Sequence, residues 1–125
     1  MTPSMTSGLR VLVADDNDAL RENLAECLEE EGHVAWQARD GRDALGLLAR
    51  RERPDVVVLD LVMPGLSGQE VAAAVRRDPG LRDLRLVLMT GREGNPGAWP
   101  EFDVVLTKPF DLSTFLDAVG RAGAR

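Results

Sequence analysis

Asp55 to Leu59 reads DVVVL, the most strand-like stretch of the chain. It is apolar on both faces, as expected of a central parallel strand covered by helices on each side. Outward from it, short apolar runs alternate with longer amphipathic segments. Arg10 to Ala14 (RVLVA) is a strand that stops at Asp15-Asp16. From Asp18 to Glu31 the apolar positions Leu20, Leu24, Cys27 and Leu28 recur at helical spacing, and Gly32 is placed to end that helix. His33 to Ala38 reads as a second, partly exposed strand. Asp40 can cap a helix through about Arg51, with Ala44, Leu45, Leu47 and Leu48 inward and Pro54 past its end. Beyond the central strand, a turn at Met63-Pro64-Gly65 leads to a helix from about Gly68 to Arg77, closed by Asp78-Pro79-Gly80. Arg85 to Met89 is a fourth strand and Val104 to Leu106 a short fifth. Asp111 caps a last helix, Leu112 to about Ala122, with Phe115, Leu116 and Val119 inward. Strands alternating with helices predict an α/β fold, an open parallel sheet with helices on both faces.

The chain has 125 residues, 44% apolar and 29% charged, ordinary for one globular domain. Its 15 basic and 21 acidic side chains give a net charge of −6, which repels nucleic acid and anionic membranes, so neither is an expected partner. One cysteine, Cys27, allows no internal disulfide and fits a reducing compartment. No apolar run is long enough to span a bilayer, and Met1 to Gly8 carry no secretion signal, so the expected location is cytoplasmic. Residues 1–9 are expected to be frayed, 10–122 to form the domain, and 123–125 to be a tail.

One stretch breaks the pattern. Gly91 to Asp103, GREGNPGAWPEFD, holds three Gly and two Pro, which predicts an irregular loop or at most one helical turn. Trp99 and Phe102 within it can anchor a partner or fold back to fill space, and the second is the expectation. His33 reads as a strand-end surface residue, and Arg50, Arg51 and Arg53 as a solvated helix end.

In an open parallel sheet, ligands bind outside the carboxyl ends of the strands, where strand order reverses. Asp15 and Asp16 follow the first strand and Asp60 the third; Thr90 ends the fourth and Lys108 the fifth. Each alone has an ordinary reading as a cap or turn former. Five on one edge are harder to dismiss. Three carboxylates that close repel one another, and one is pushed towards protonation unless a cation intervenes. Hard oxygen ligands with room for water suit Mg²⁺. A carboxylate beside such an ion can attack phosphorus and give an aspartyl phosphate, with metal and ammonium neutralising the phosphoryl charge. Asp60 is the best nucleophile candidate because it ends the central, most buried strand; Lys108 would supply the point charge and Thr90 a hydroxyl hydrogen bond.

The strings VLVADDN (Val11 to Asn17), DVVVLDLVMPGLSG (Asp55 to Gly68), LVLMTG (Leu86 to Gly91) and TKPF (Thr107 to Phe110) resemble, in the same order, the receiver domain of bacterial two-component response regulators. The resemblance covers about residues 10–121. The 44 positions from Asp16 to Asp60 and the 30 from Asp60 to Thr90 suit that family. It implies a flavodoxin-like (CheY-like) doubly wound five-stranded sheet of order 2-1-3-4-5. Asp60 resembles the phosphoacceptor. Asp16 would then bind Mg²⁺ directly, Asp15 through water, and the Val62 backbone carbonyl would complete the protein ligands. Thr90 would follow the phosphoryl group, Lys108 would pair with it, and Lys108-Pro109 resembles the family's cis peptide. The implied function is a stand-alone phosphoryl-accepting receiver of a two-component system or phosphorelay. Its donor would be a histidine kinase or a histidine phosphotransfer protein, and its output would be binding of another protein by a monomer or weak homodimer. Such a domain is not an enzyme in the ordinary sense, since it catalyses only its own phosphoryl transfer and slow dephosphorylation.

Three departures from the family pattern matter. Only 18 positions separate Thr90 from Lys108, roughly a helical turn fewer than the family shows, so its fourth helix is expected to be shortened or absent. Val105 stands where a switching Tyr or Phe is usual, so output through an aromatic rotation is not expected. Val62 and Arg92 hold the variable positions that flank the attacking water, and aliphatic Val62 predicts a slowly decaying phosphoryl group. Two other functions compete. A binding module that has lost phosphorylation is argued against by the intact polar set. A small Mg²⁺-dependent phosphatase lacks the acid it needs two residues after Asp60.

Overall fold

Val56–Asp60 (β3) is buried along its whole length because a strand flanks it on each edge and helices cover both faces. The structure is a computed structural model and describes residues 8–50, 53–91 and 98–124. Arg10–Ala14 (β1), Val34–Ala38 (β2), Arg85–Thr90 (β4) and Val104–Thr107 (β5) complete a parallel sheet of order β2-β1-β3-β4-β5. Asp18–Glu30 (α1) and Leu112–Gly123 (α4) lie on one face; Gly41–Leu48 (α2) and Gly68–Arg77 (α3) lie on the other. This is the expected doubly wound α/β architecture.

The period of two along each strand explains why both faces read as apolar. Val11, Val13, Val56, Val58, Val87 and Met89 point into the core under α1 and α4, around Phe115. Leu12, Ala14, Val57, Leu59 and Leu86 point into the core under α2 and α3. Asp40 and Asp111 cap α2 and α4 as expected, each accepting the N–H three residues on at 2.8 Å. Gly32, at φ 91°, closes α1 in the left-handed conformation that glycine adopts without strain.

Boundaries moved where backbone pairing outlasts side-chain patterning. β3, β4 and β5 each run one residue further, to Asp60, Thr90 and Thr107, because a ladder bonds main chain whatever the side chain. α2 stops at Leu48, short of Arg51, since Leu48 is the last residue to reach the core and Ala49 and Arg50 are exposed. His33 belongs to the turn closing α1: its N–H donates to the Leu28 carbonyl at 3.0 Å and its Nδ1 accepts the Leu9 N–H at 3.2 Å. Leu9 itself packs against the core beneath α1 and α4. No helix among the described residues is long and apolar enough to cross a membrane.

The β4–β5 connection has no α-helix among its described residues, 91 and 98–103. Side chains anchor it instead. Phe102 folds back onto the core under α2 and α3, while Trp99 is half-buried. Arg76, in the last turn of α3, donates to the Arg82 and Leu84 carbonyls, each at 2.7 Å, and to the Glu101 carbonyl at 2.9 and 2.7 Å. It also pairs with Asp103 Oδ2 at 3.1 Å, and that oxygen accepts the Leu86 N–H at 2.8 Å. One guanidinium therefore ties the entries to β4 and β5 to the end of α3. Arg76→Ala leaves those carbonyls short of a donor and should cost about 1–3 kcal/mol. Hydrogen exchange should show faster exchange at the Asp103 and Leu86 amides, with α1 amides unchanged.

Candidate functional site

The register brings the polar strand ends to one level. Ala14 pairs with Leu59, so Asp15 follows β1 beside the point where Asp60 ends β3. Asp60 pairs with Met89 and Thr90 with Thr107, which sets Lys108 one residue beyond the same edge. The Lys108 N–H then donates to the Thr90 carbonyl at 2.7 Å, and the Lys108-Pro109 peptide is cis.

Asp15 is fully buried and held through every polar group. Its N–H donates to the Ala38 carbonyl at 3.2 Å, and its Oδ1 accepts the Asn17 N–H at 2.9 Å. Its Oδ2 faces Lys108 Nζ at 3.4 Å, and its carbonyl accepts Arg21 Nη1 at 3.0 Å. Asn17 in turn caps α1, accepting the Leu20 N–H at 3.1 Å, so the Asp-Asp-Asn turn is fixed at both ends. Asp16, between them, is exposed. Asp60 is 8% exposed, and its Oδ1 lies 3.1 Å from Lys108 Nζ. One carboxylate oxygen from each of Asp15, Asp16 and Asp60 lies within 4.8 Å of the others. Three converging hard oxygens, one on an exposed residue, fit a divalent cation that keeps part of its water.

Thr90 is buried at the end of β4. Val62 is 75% exposed in the loop after β3, and Val105 is half-buried in β5 opposite Leu88. Arg92 lies outside the described residues. Two contributors had no role assigned from sequence, although Gly68 closes one of the motif strings. Gly68 starts α3 directly against β3: a Cβ there would collide with the Asp60 carbonyl oxygen, so only glycine lets the helix approach the strand end this closely. Arg21 is 5% exposed beneath the acidic turn. Its place was visible in principle, because Arg21, Leu24, Ala25 and Leu28 form one helical stripe and the arginine interrupts an apolar face.

Burial pushes the Asp60 carboxyl above the usual carboxylate range; Asp15 and Asp16 add to this, and the hydrogen bond and charge of Lys108 oppose it. For Lys108, burial alone favours the neutral amine, yet the bond to Asp60 and the charges of Asp15 and Asp60 outweigh it and raise the ammonium's pKa. The lysine is therefore charged at neutral pH, and Asp60 is the carboxyl whose charge the site disfavours. A cleft of about 490 Å³ lies at the opposite end of the sheet, bordered by Arg10, Arg53, Asp55, Asp83 and Arg85. None of the acidic cluster borders it. Chemistry, not concavity, marks the candidate site.

Fold and rim together place the chain among doubly wound α/β proteins that carry their chemistry at the carboxyl edge of the sheet. Residues 11–120 match the response regulator receiver domain, and the chain belongs to that family. It is 41% identical over 112 residues to response regulator MprA of Mycolicibacterium vanbaalenii, covering 86% of this chain and 47% of that protein. It is 32% identical over 114 residues to protein PilH of Pseudomonas aeruginosa, covering 88% and 93% respectively. The chain thus spans about half of MprA and nearly all of PilH. Among solved structures, a Francisella receiver domain superposes with a TM-score of 0.83 at 26% identity, covering 94% of this chain and 98% of that one. Response regulator TrrA of Thermotoga maritima, solved in complex with Mg²⁺-BeF, gives a TM-score of 0.79 at 32% identity, covering 91% and 98%.

The raised Asp60 pKa has a definite sign in stability. A carboxylate that holds its proton more tightly when folded favours the fold below its unfolded pKa, and that contribution is lost as pH rises through the folded pKa. Without divalent ions, Asp60→Asn should therefore melt progressively higher than the parent as pH is raised from about 4 to 7. Paired thermal melts in chelator check this; a gap that narrows over that range contradicts it.

Proposed function

We propose that this receiver takes a phosphoryl group onto Asp60. The observation that carries the reading is the grouping of Asp60 Oδ1, 3.1 Å from Lys108 Nζ, with the Asp15 and Asp16 oxygens within 4.8 Å. Asp16, Asp60 and the Val62 backbone carbonyl would hold Mg²⁺ directly, and Asp15 through water. When bound, the ion supplies positive charge to the phosphoryl oxygens. The binding of Mg²⁺-BeF by TrrA, a relative of matching fold, supports this choice of cation and ligand.

An Asp60 oxygen forms the new bond to phosphorus while the donor's P–N bond breaks and its electron pair returns to the imidazole nitrogen. Lys108 then pairs with a phosphoryl oxygen in place of the carboxylate oxygen taken up in the acyl phosphate, and the Thr90 hydroxyl donates to another. The donor is a histidine kinase or a histidine phosphotransfer protein, and the output is a protein contact made in the cytoplasm. Val105 has no ring to swing, so the signal leaves by another route than aromatic rotation. Exposed Val62 offers an attacking water no hydrogen bond, which gives the phosphoryl group a long life.

Incubation with Mg²⁺ and acetyl phosphate should add one phosphoryl group, seen by intact-mass spectrometry and absent from Asp60→Asn or in chelator. An adduct that survives Asp60→Asn overturns the assignment. Once acetyl phosphate is removed, the adduct should persist for minutes at neutral pH; loss within seconds would remove the role given to Val62.

A further inference from the structure

Among the described residues, four polar or charged side chains are buried: Asp15, Asp60, Thr90 and Arg21. The first three belong to the proposed phosphoryl site. Arg21 does not, yet it touches that site. From the first turn of α1 its Nη1 donates to the Asp15 carbonyl at 3.0 Å and pairs with Asp18 Oδ1 at 2.8 Å. Its Nε donates to Gln37 Oε1 on β2 at 2.9 Å. One rigid guanidinium thus joins the acidic turn, the start of α1 and the edge strand.

We propose that Arg21 is a positioning residue for the cation site, acting through the peptide that links Asp15 to Asp16. This rests on the reading of Asp15, Asp16 and Asp60 as that site. The atom Arg21 grips decides the matter. The Asp15 carbonyl lies in the planar peptide unit shared with Asp16, so fixing that oxygen fixes the direction in which the chain enters Asp16. Asp16 depends on this more than Asp15 does. Asp15 has three further holds, whereas no hydrogen bond or ion pair to the Asp16 side chain occurs among the described residues. Asp16 owes its place in the cluster to the backbone that carries it.

Two rival roles give different signs. As a bare positive charge beside three carboxylates, Arg21 would compete with a cation, and removing it would tighten metal binding. As a plain structural plug, its loss would lower stability and leave affinity in the folded state unchanged. A positioning role predicts weaker binding. Asp18 at 2.8 Å already offsets much of the guanidinium's charge, which is why positioning outweighs competition. Lysine keeps the charge but, with one compact ammonium, cannot reach Asp15, Asp18 and Gln37 together.

The test is Mn²⁺ titration of the full chain, read by electron paramagnetic resonance well below the melting temperature. Arg21→Gln and Arg21→Lys should each bind Mn²⁺ about tenfold more weakly, as loss of a group that orients a metal ligand commonly does. Their Asp16 amides should exchange faster with solvent. Unchanged or tighter binding in Arg21→Gln overturns the proposal. Should that variant fail to fold, parental affinity in Arg21→Lys overturns it equally. Parental protein that binds no Mn²⁺, or binds it undiminished in Asp16→Asn, defeats the site reading itself and this proposal with it.

Discussion

Carboxylates crowded at the end of a hydrophobic sheet repel one another in a place where water screens them poorly. The chain answers with one ammonium group, Lys108 Nζ, between Asp60 and Asp15. Much of the remaining architecture serves that placement. Lys108 reaches the rim because β5 pairs with β4 in a register that ends at Thr90 and Thr107, and because its own N–H continues the ladder to the Thr90 carbonyl. Asp15 and Asp60 meet because β1 and β3 are neighbours although β2 lies between them in sequence. The switch in strand order is thus what turns distant acids into a cluster.

Holding β5 in that register requires the β4–β5 connection to end in a fixed place. With no α-helix among the described residues of that connection, Phe102 and Arg76 are its fasteners. The two are complementary. Phe102 supplies apolar contact to the core under α2 and α3, while Arg76 satisfies main-chain carbonyls ahead of β4 and ahead of β5. Arg76 reaches across to β4 and β5 from the C-terminal end of α3, and α3 begins at Gly68, pressed against the Asp60 main chain. The same helix that abuts Asp60 therefore anchors the strand that leads into Lys108.

The sequence made the sheet legible because its strands are short, β-branched and separated by good caps, and the polar residues closing them stand out against apolar runs. Asp15, Asp16, Asp60 and Lys108 could be read that way, and the structure brings them together. Arg21, Gly68 and Arg76 could not be read with equal ease, for a common reason. Each acts on main-chain atoms: the Asp15 carbonyl, the Asp60 carbonyl, and the carbonyls of Arg82, Leu84 and Glu101. Side-chain patterning carries little information about main-chain atoms brought close by folding. Arg21 interrupts an apolar stripe, which marks its place but not its partner until the buried Asp15 carbonyl is found at its tip, and Phe102 reads as an anchor or a plug until its contacts decide.

The cluster is rigid on one side and open on the other. Asp15 and Asp60 are buried and tied to the sheet and to Lys108; Asp16 and Val62 are exposed. An ion that must shed all its water would need a closed cage, whereas one that keeps several waters needs an open side. The phosphoryl donor proposed above would need the same opening, since Asp60 can be approached only from outside the sheet. The buried half keeps Asp60 and Lys108 in register before any ligand arrives, and the exposed half leaves room for water and ligand. If preorganisation of this kind is what the site requires, its weak point is the single acid with no side-chain bond of its own. The most informative changes are then those that act on the peptide carrying Asp16 rather than on the carboxylates themselves.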